Sequence, residues 1–322
     1  MARRLTPRAA VVPAEPSPPG RTPAALLSIA SNSALILLKV VAGALTGSVA
    51  ILSEAMHSAI DLVASIVAYF SVRKAEEPAD EDHRYGHEKV ENLAAAIEGM
   101  LILVGSAVIA FEAVRRLVNP SEVERLGIGI AVIAFSMLAN LAVSAFIARR
   151  ARATESAALE GDAAHLRTDA LTSGGVLVAL VLVQITDEAW IDPVVALLVA
   201  AAIVVSGMRI ITRSTRVLVD EALPADEMEA IQGAVREFGP RGVVGFHKLR
   251  TRRAGARRYI DLHVQFRHGT TLEAAHATAH ELQAAIRRRL RNADVLIHIE
   301  PEESVRPGTE IVPERPAPLS EG

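Results

Sequence analysis

The sequence predicts an α-helical membrane protein with six transmembrane helices, followed by a small C-terminal cytosolic α+β domain. Apolar residues make up 51% of the 322 residues, and the mean hydropathy of +0.30 is high for a soluble protein of this length. Six apolar stretches between residues 24 and 211 each reach about 20 residues, the length that crosses the ~30 Å hydrocarbon core of a bilayer. Beyond residue 213, short amphipathic patterns typical of a soluble domain replace them.

The six apolar stretches are separated by short gaps, which predicts a compact helical bundle. They cover roughly 24–46, 48–72, 90–117, 125–148, 157–185 and 189–211. The two ends of the chain are rich in proline, a composition typical of disordered tails. We therefore expect four regions: a disordered N-terminal tail (1–22), a transmembrane domain (23–212), a cytosolic domain (213–303) and a disordered C-terminal tail (304–322).

Arginine and lysine residues predict the orientation of the bundle. They are frequent in the N-terminal tail, in the loops after the second and fourth spans, and at the end of the sixth span. The short turns at 46–48 and 186–188 contain none, and only Arg115, Arg116 and Arg125 lie on that opposite side. Because basic residues favour the cytosolic side, we expect both termini in the cytosol and the protein in the cytoplasmic (inner) membrane.

The C-terminal region predicts a small open-faced sheet backed by two helices. Helical patterns cover 226–238 and 272–290, and strand patterns cover 243–253, 258–267 and 293–300. Gly255 lies between the first two strands, where a hairpin turn is expected. The order is therefore α-β-β-α-β.

The absence of cysteine excludes several kinds of site. With no thiolate, the chain forms no disulfide, cysteine-ligated zinc finger, iron–sulfur cluster or cysteine nucleophile. Any metal must be bound by histidine, carboxylate or backbone oxygen. The formal net charge of −3 gives no indication of nucleic-acid binding.

Two pairs of ionisable residues lie inside predicted spans, where such residues are costly and usually functional. The second span contains His57 and Asp61, and the fifth contains His165 and Asp169. In each pair a spacing of four residues places both side chains on one helix face, and all four lie near the middle of the bilayer. If the two faces meet, two imidazoles and two carboxylates form a tetrahedral set that suits Zn²⁺. The alternative is that each pair forms only a local hydrogen bond.

Two further groups of histidines lie outside the spans. The loop after the second span contains Asp80, His83 and His87, spaced for one turn-like metal site. The soluble region holds six of the ten histidines: His247, His263, His268, His276, His280 and His298. On the last predicted strand, His298 and Glu300 face the same side. In both regions ordinary solvent-exposed histidines are the alternative.

Several segments in this order resemble the cation diffusion facilitator family of divalent-metal transporters. The resemblance covers about residues 24–301 and rests on SEAMHSAID (53–61), HRYGHEK (83–89) with Glu91, DAAH (162–165) with Asp169, VDEALP (219–224), GFHKLRTR (245–252) and IHIEP (297–301). It implies a homodimer of six-span protomers in a lipid bilayer, each with a metallochaperone-like cytosolic domain. It also implies a transporter, not an enzyme, that exports Zn²⁺ or a similar ion in exchange for protons.

The resemblance also assigns residues to sites. The transport site of the family falls on His57, Asp61, His165 and Asp169. Many bacterial zinc/iron members have aspartate where this chain has His57, and a set of two histidines and two aspartates favours zinc. The loop site of some members falls on Asp80, His83 and His87. The cytosolic binuclear site falls on His247, His263, His276, His298 and Glu300. An interface pair of some members falls on Lys89 and Asp220.

Two assignments depart from the family pattern. Glu300 stands where aspartate is usual, and its side chain is one methylene longer. His280 matches no family ligand, but it lies four residues from His276, so it can take the place of that residue.

Other functions remain open at this point. The ion is not determined by the sequence, so Fe²⁺, Mn²⁺, Co²⁺ and Cd²⁺ remain alternatives to Zn²⁺. A membrane metal sensor or scaffold with little transport is another alternative. A membrane metalloenzyme is a third, but it needs an open metal position and a general base. A flux assay in vesicles separates these classes.

Overall fold

The computed structural model describes residues 21–46, 49–118, 127–186, 188, 190–304 and 308–312. Within these ranges six long helices form a bundle. They are α1 (Arg21–Thr46), α2 (Val49–Ala75), α3 (Lys89–Val118), α4 (Gly127–Thr154), α5 (Ala157–Thr186) and α6 (Ile191–Leu218). Their bounds lie close to the predicted spans, so the six-helix prediction is confirmed.

Within the part of the chain that the structure describes in full, five helices are long and apolar enough to cross a membrane: α1, α3, α4, α5 and α6. Helix α2 has 27 residues and packs against α1, α3 and α5; several side chains in its first half lie outside the described part of the chain. Its polar residues Ser58, Asp61 and Ser65 are buried in the bundle, whereas Val63 and Phe70 are exposed on the outer surface. Helix α2 therefore turns polar side chains toward the interior of the bundle and apolar side chains toward the lipid.

Close backbone contact holds α3 against α6. A Cβ atom at Gly99 would lie 2.7 Å from Ile211 Cγ1 and 3.2 Å from the carbonyl oxygen of Gly207. A Cβ atom at Gly207 would in turn lie 3.2 Å from the carbonyl oxygen of Gly99. Small residues allow two membrane helices to approach each other this closely. Since the hydrophobic effect does not drive helices together inside a bilayer, van der Waals packing stabilises the contact.

The C-terminal domain contains helices and strands in the predicted α-β-β-α-β order. They are α7 (Ala225–Arg236), β1 (Val243–Ala254), β2 (Arg257–Phe266), α8 (Leu272–Arg289) and β3 (Ala293–Pro301). Strand β2 pairs antiparallel with β1 and parallel with β3. The core includes apolar side chains from α7, α8 and one face of the sheet, among them Ile231, Ile260, Leu262 and Ile286.

The structure differs from the sequence-based expectation at both predicted tails. A fourth strand, β4 (Glu310–Ile311), pairs antiparallel with β1 and places Val312 in the core, so ordered structure continues past residue 303. At the other end α1 already begins at Arg21. The Arg21 guanidinium is buried, and it donates to Glu91 at 2.9 Å and to the Thr154 carbonyl oxygen at 2.7 Å. The rest of both predicted tails, 1–20 and 313–322, lies outside the described residues.

The hairpin between β1 and β2 contacts the end of the membrane bundle. Gly255 forms its turn with a φ of +54°. The Tyr259 hydroxyl donates to the Tyr85 carbonyl oxygen at 2.7 Å, and the Arg252 guanidinium lies 4.8 Å from the centroid of each of these two tyrosine rings. The loop after α2 is thereby held against β1 and β2.

Ion pairs connect the same hairpin to the ends of α4 and α7. Arg258 is buried and pairs with Glu227 at 2.8 Å and with Glu155 at 3.1 Å. Burial acts to raise the pKa of Glu227, but the hydrogen bonds and charges of Arg258 and Arg253 outweigh it and hold that pKa below its ordinary value. Glu227 is therefore ionised at neutral pH.

The predicted pair Lys89 and Asp220 lies where α3 begins and α6 has just ended. Lys89 Nζ donates to Asp220 Oδ1 at 2.7 Å, and Arg252 approaches the same oxygen at 3.3 Å. The hydrogen bond from Lys89, with a further one from Arg252, holds the pKa of Asp220 below its ordinary value. The carboxylate thus connects α3, α6 and β1.

The α3–α6 contact predicts that a large side chain at Gly99 destabilises the protein. Gly99→Leu should cost about 1–3 kcal/mol, the usual range for overpacking a close contact. Gly105→Leu is the matched control, because a Cβ atom at Gly105 on the same helix meets nothing within 4 Å. Thermal unfolding of both variants in detergent checks this expectation, and equal melting temperatures would contradict the contact.

The pKa of Asp220 predicts a pH-dependent contribution to stability. Because the folded pKa is lowered, the stabilisation is present above the ordinary aspartate pKa of about 3.9 and is lost as the pH falls through the folded value. Asp220→Asn should therefore lower the melting temperature near neutral pH. The loss should stay under about 1 kcal/mol, since the carboxylate is half exposed, and it should vanish in acid.

Melting curves of wild type, Asp220→Asn and the control Glu229→Gln from pH 3 to 8 test the expected pH dependence. Glu229 is exposed on α7, with no ion pair in the described part of the chain. A difference between wild type and Asp220→Asn that is the same at every pH would show that the ionised carboxylate is not responsible.

Candidate metal centres

The first candidate centre lies between α2 and α5, inside the membrane bundle. His165 Nε2 and Asp61 Oδ1 are 3.0 Å apart, and both residues are buried. Asp169 adds a carboxylate oxygen, so that the ligand atoms of Asp61, His165 and Asp169 lie within 4.8 Å of one another. The two predicted faces therefore meet across the two helices.

Helix periodicity explains how α5 supplies two of these ligands. The helix is continuous from Ala157 to Thr186, so His165 and Asp169 lie one above the other on one face. His57 belongs to α2, one turn before Asp61, but its side chain lies outside the described residues. Its part in the site therefore stays a prediction.

A buried polar network adjoins this centre on α1, α2 and α5. Asp162 Oδ1 accepts hydrogen bonds from Ser28 at 3.0 Å and from Ser65 at 2.9 Å, and Asn32 donates to Ser65 at 2.8 Å. All four residues are buried. Sequence reasoning missed the part of the two serines, although Ser28 and Asn32 are four residues apart on one face of an otherwise apolar helix.

Glu98 on α3 is a further buried carboxylate that the sequence did not connect to a site. It is fully buried against α5, where a Cβ atom on Gly161 would clash with Glu98 Oε2. Neither carboxylate oxygen has a hydrogen-bond partner within the described residues. Such an acid in a membrane helix is costly and indicates a functional role.

The second candidate centre is the loop between α2 and α3. Asp80 Oδ1 lies 3.2 Å from His83 Nδ1, and Asp80 Oδ2 lies 3.3 Å from His87 Nε2. Gly86 adopts a φ of +88° and its amide donates to the His83 carbonyl oxygen at 2.9 Å, which turns the chain between the two histidines. All three predicted loop residues are thus brought together.

The charge state of this loop suits a divalent cation. The backbone amide of His83 donates to Asp80 Oδ1 at 2.6 Å and holds the pKa of that carboxyl below its ordinary value. Asp80 is therefore ionised near neutral pH. Both ring nitrogens of His87 are buried with no hydrogen-bond partner in the described chain, so at least one is free to act as a ligand.

The third candidate centre lies on the face of the C-terminal sheet opposite α7 and α8. Strand register places three histidines in one row, since His247 on β1 is opposite His263 on β2, and His263 is opposite His298 on β3. Their ring centroids are 5.1 Å and 4.5 Å apart along the row. The bulge in β1 after His247, with Lys248 at a φ of +49°, bends the strand beside this row.

Glu300 contacts all three histidines of the row. Its carboxylate oxygens lie 2.7 Å from His263 Nδ1, 3.4 Å from His247 Nε2 and 3.7 Å from His298 Nε2. The ligand atoms of His247, His263 and Glu300 lie within 4.8 Å of one another. The glutamate carboxylate at this position therefore contacts the three histidines, although its side chain is one methylene longer than that of aspartate.

The remaining two cytosolic histidines on α8 form a pair of their own. His276 Nε2 and His280 Nε2 are 3.1 Å apart on the exposed face of the helix. The structure thus places His276 with His280, outside the group of His247, His263 and Glu300. His268 lies elsewhere, with its Nδ1 atom 2.5 Å from Glu303.

Family models match nearly the whole folded chain. The cation efflux transmembrane domain matches residues 25–219, and the cytoplasmic domain of cation efflux proteins matches residues 223–302. An uncharacterized transporter of Synechocystis is 35% identical over 281 residues, which cover 87% of this chain and 90% of that protein. The cation-efflux pump FieF of Klebsiella pneumoniae is 35% identical over 285 residues, 88% of this chain and 93% of that protein.

A structure described as the zinc form of CzrB is also similar to part of the chain. It shares 34% sequence identity, covers 27% of this chain and 98% of that chain, and aligns with a TM-score of 0.26. The family matches and the length over which the relatives align lead to one conclusion. The chain belongs to the cation diffusion facilitator family and is a membrane transporter for the efflux of divalent metal cations, not an enzyme.

Proposed function

We propose that the protein is a Zn²⁺/H⁺ antiporter that exports zinc from the cytosol by alternating access. The observation that supports it most is the meeting of Asp61, His165 and Asp169 between α2 and α5, inside a bundle of membrane helices. With His57 one turn from Asp61, the proposed transport site has two imidazoles and two carboxylates.

The ligand chemistry favours zinc among the divalent ions. Zinc accepts nitrogen and oxygen ligands in tetrahedral sites, and four such ligands fill its coordination sphere. The chain has no cysteine and therefore no thiolate to favour softer ions. A site with two histidines is also less suited to ions that prefer oxygen alone.

Coupling to protons follows from the contact between His165 and Asp61. In the empty site the 3.0 Å contact allows a proton on His165 Nε2 to be shared with the carboxylate. A metal ion needs neutral imidazole and ionised carboxylate, so it replaces that proton when it binds both groups. Protons entering from the outer side then displace the metal and return the site to its empty state.

The cytosolic groups support a regulatory role in a homodimer. We propose that His247, His263, His298 and Glu300 bind zinc from the cytosol, and that His276 and His280 form a separate pair of histidine ligands on α8. We assign a third zinc position to Asp80, His83 and His87. This loop contacts the β1–β2 hairpin through Tyr85 and Tyr259, so metal there lies beside the junction of the two domains.

Removal of Asp169 is predicted to abolish zinc transport. Asp169→Asn keeps the size of the side chain but removes the charge that the metal needs, so zinc flux in proteoliposomes with a pH gradient should fall to the level of empty vesicles. Asp192→Asn is the matched control, because Asp192 pairs with Arg116 at the opposite end of α6 from the cytoplasmic domain. Full transport by Asp169→Asn would contradict the site.

The same vesicles identify the ion. Zinc flux is measured in the presence of Mn²⁺, Fe²⁺, Co²⁺ or Cd²⁺. We expect each of these ions to inhibit zinc flux less than an equal concentration of unlabelled zinc does. If the protein binds zinc but the vesicles show no zinc flux, the result would instead favour a metal sensor or scaffold. Flux that does not acidify or alkalinise the lumen would contradict proton antiport while leaving cation export in place.

Loss of Glu300 is predicted to weaken the response of the cytosolic domains to zinc. In the homodimer, zinc should shorten the distance between spin labels attached at Arg288→Cys, and the absence of native cysteine leaves this as the single labelled position in each chain. Glu300→Gln should raise the zinc concentration that produces half of this shortening by more than about tenfold. A tenfold loss of metal affinity is the lower end of the range for removing a residue that only hydrogen-bonds to a metal ligand.

His268→Gln is the control for this experiment, because His268 is exposed and paired with Glu303 away from the row of histidines. It should respond to zinc as the wild type does. An unchanged response in Glu300→Gln would show that the row does not sense the metal.

A further inference from the structure

A cleft lined with arginine opens at the end of the bundle that leads into the C-terminal domain. It has a volume of about 510 Å³ and lies between the ends of α3, α4, α5 and α6 and the β1–β2 hairpin. We call it the arginine cleft. Its basic residues are Arg152, Arg167, Arg209, Arg213 and Arg253. Much of the remaining wall is alanine, which leaves space for a ligand.

The positive charge of the arginine cleft is only partly neutralised. Arg213 pairs with Glu160, and Arg253 pairs with Glu227 and Glu155. Arg152, Arg167 and Arg209 have no carboxylate within salt-bridge distance anywhere in the described ranges. Three guanidinium groups from three different helices therefore line one cleft with unpaired charge.

An apolar groove adjoins the arginine cleft along α6. The groove has a volume of about 640 Å³, and Val204, Val205 and Met208 form its apolar side. These three side chains are exposed on the outer surface of a helix that is apolar enough to span the membrane. Arg209 and Arg213 line both the groove and the cleft, so the two spaces meet at these residues.

The position of the groove and cleft corresponds to the cytoplasmic leaflet of the membrane. The C-terminal end of α6 runs directly into the region that matches the family's cytoplasmic domain. Basic residues at this level attract anionic headgroups, and pockets of basic residues between membrane helices on the cytoplasmic side bind lipid phosphates. Arginine suits phosphate because its planar group donates two hydrogen bonds at once.

We propose that this surface binds one anionic phospholipid, with its phosphate in the arginine cleft and an acyl chain in the groove along α6. The charge of the cleft excludes a metal cation as its ligand. The apolar groove favours a lipid over free phosphate, because free phosphate has no apolar part to bury in it. Arg167 is two residues after His165 on α5, so the bound phosphate connects the helix of the transport site to α6.

Native mass spectrometry of the full-length protein tests the proposal. The protein is released from micelles that contain equal amounts of phosphatidylglycerol and phosphatidylcholine, and the lipid adducts are counted. We expect one retained phosphatidylglycerol per protomer. Arg167→Gln and Arg209→Gln should each weaken retention by about five-fold, the effect of one basic residue near an anionic surface.

Arg149→Gln is the matched control, because Arg149 is exposed on α4 but does not line the arginine cleft. It should retain the lipid as the wild type does. Arg209→Lys should retain more lipid than Arg209→Gln, because the charge is kept. The melting temperature of each variant, measured without added lipid, separates lost binding from lost folding.

Three results would overturn the proposal. The first is equal retention of phosphatidylcholine and phosphatidylglycerol, or equal retention by wild type and both glutamine variants. The second is protection of the melting temperature by inorganic phosphate as great as by phosphatidylglycerol. The third is a cross-link between two protomers through Met208→Cys, which would show that a second copy of the chain fills the groove.

Discussion

The contact between Asp61 and His165 is the interaction on which the membrane domain depends. A charged group inside a bilayer needs a partner, and these two residues lie on different helices, 3.0 Å apart. Their pairing brings the polar faces of α2 and α5 together and turns the apolar faces outward. The serine and asparagine network around Asp162 extends the same arrangement to α1, so that polar side chains of three helices are hydrogen-bonded to one another in one interior region.

A second set of contacts joins this interior to the cytoplasmic domain. Asp220 accepts hydrogen bonds from Lys89 and Arg252, and the Arg252 guanidinium lies over the rings of Tyr85 and Tyr259. The loop with the second candidate metal centre therefore meets the start of α3, the end of α6 and the β1–β2 hairpin at one junction. We therefore propose that metal bound in the loop or in the cytoplasmic domain acts on α3 and α6, which pack closely through Gly99 and Gly207.

Helix bounds and ligand pairs could be predicted from the sequence, because both depend on local spacing. Apolar length determines the spans, and a four-residue interval puts His165 and Asp169 on one face. The rest depends on partners distant in sequence. The row of three histidines requires the register of β1, β2 and β3, and strand β4 forms only because the edge of β1 is available to Glu310 and Ile311. The burial of Glu98 depends on its packing against Gly161, and no pattern within α3 indicates that contact.

Zinc binding between α2 and α5 can be measured by X-ray absorption at the zinc edge. The sample is the full-length protein in which His83, His263, His276 and His298 are replaced by alanine, so that the loop and cytosolic ligand sets are incomplete. We expect one zinc ion per protomer with four nitrogen or oxygen ligands at about 2.0–2.1 Å and multiple-scattering features from two imidazoles. Loss of all bound zinc from this variant, or a six-coordinate ion with oxygen ligands alone, would contradict it.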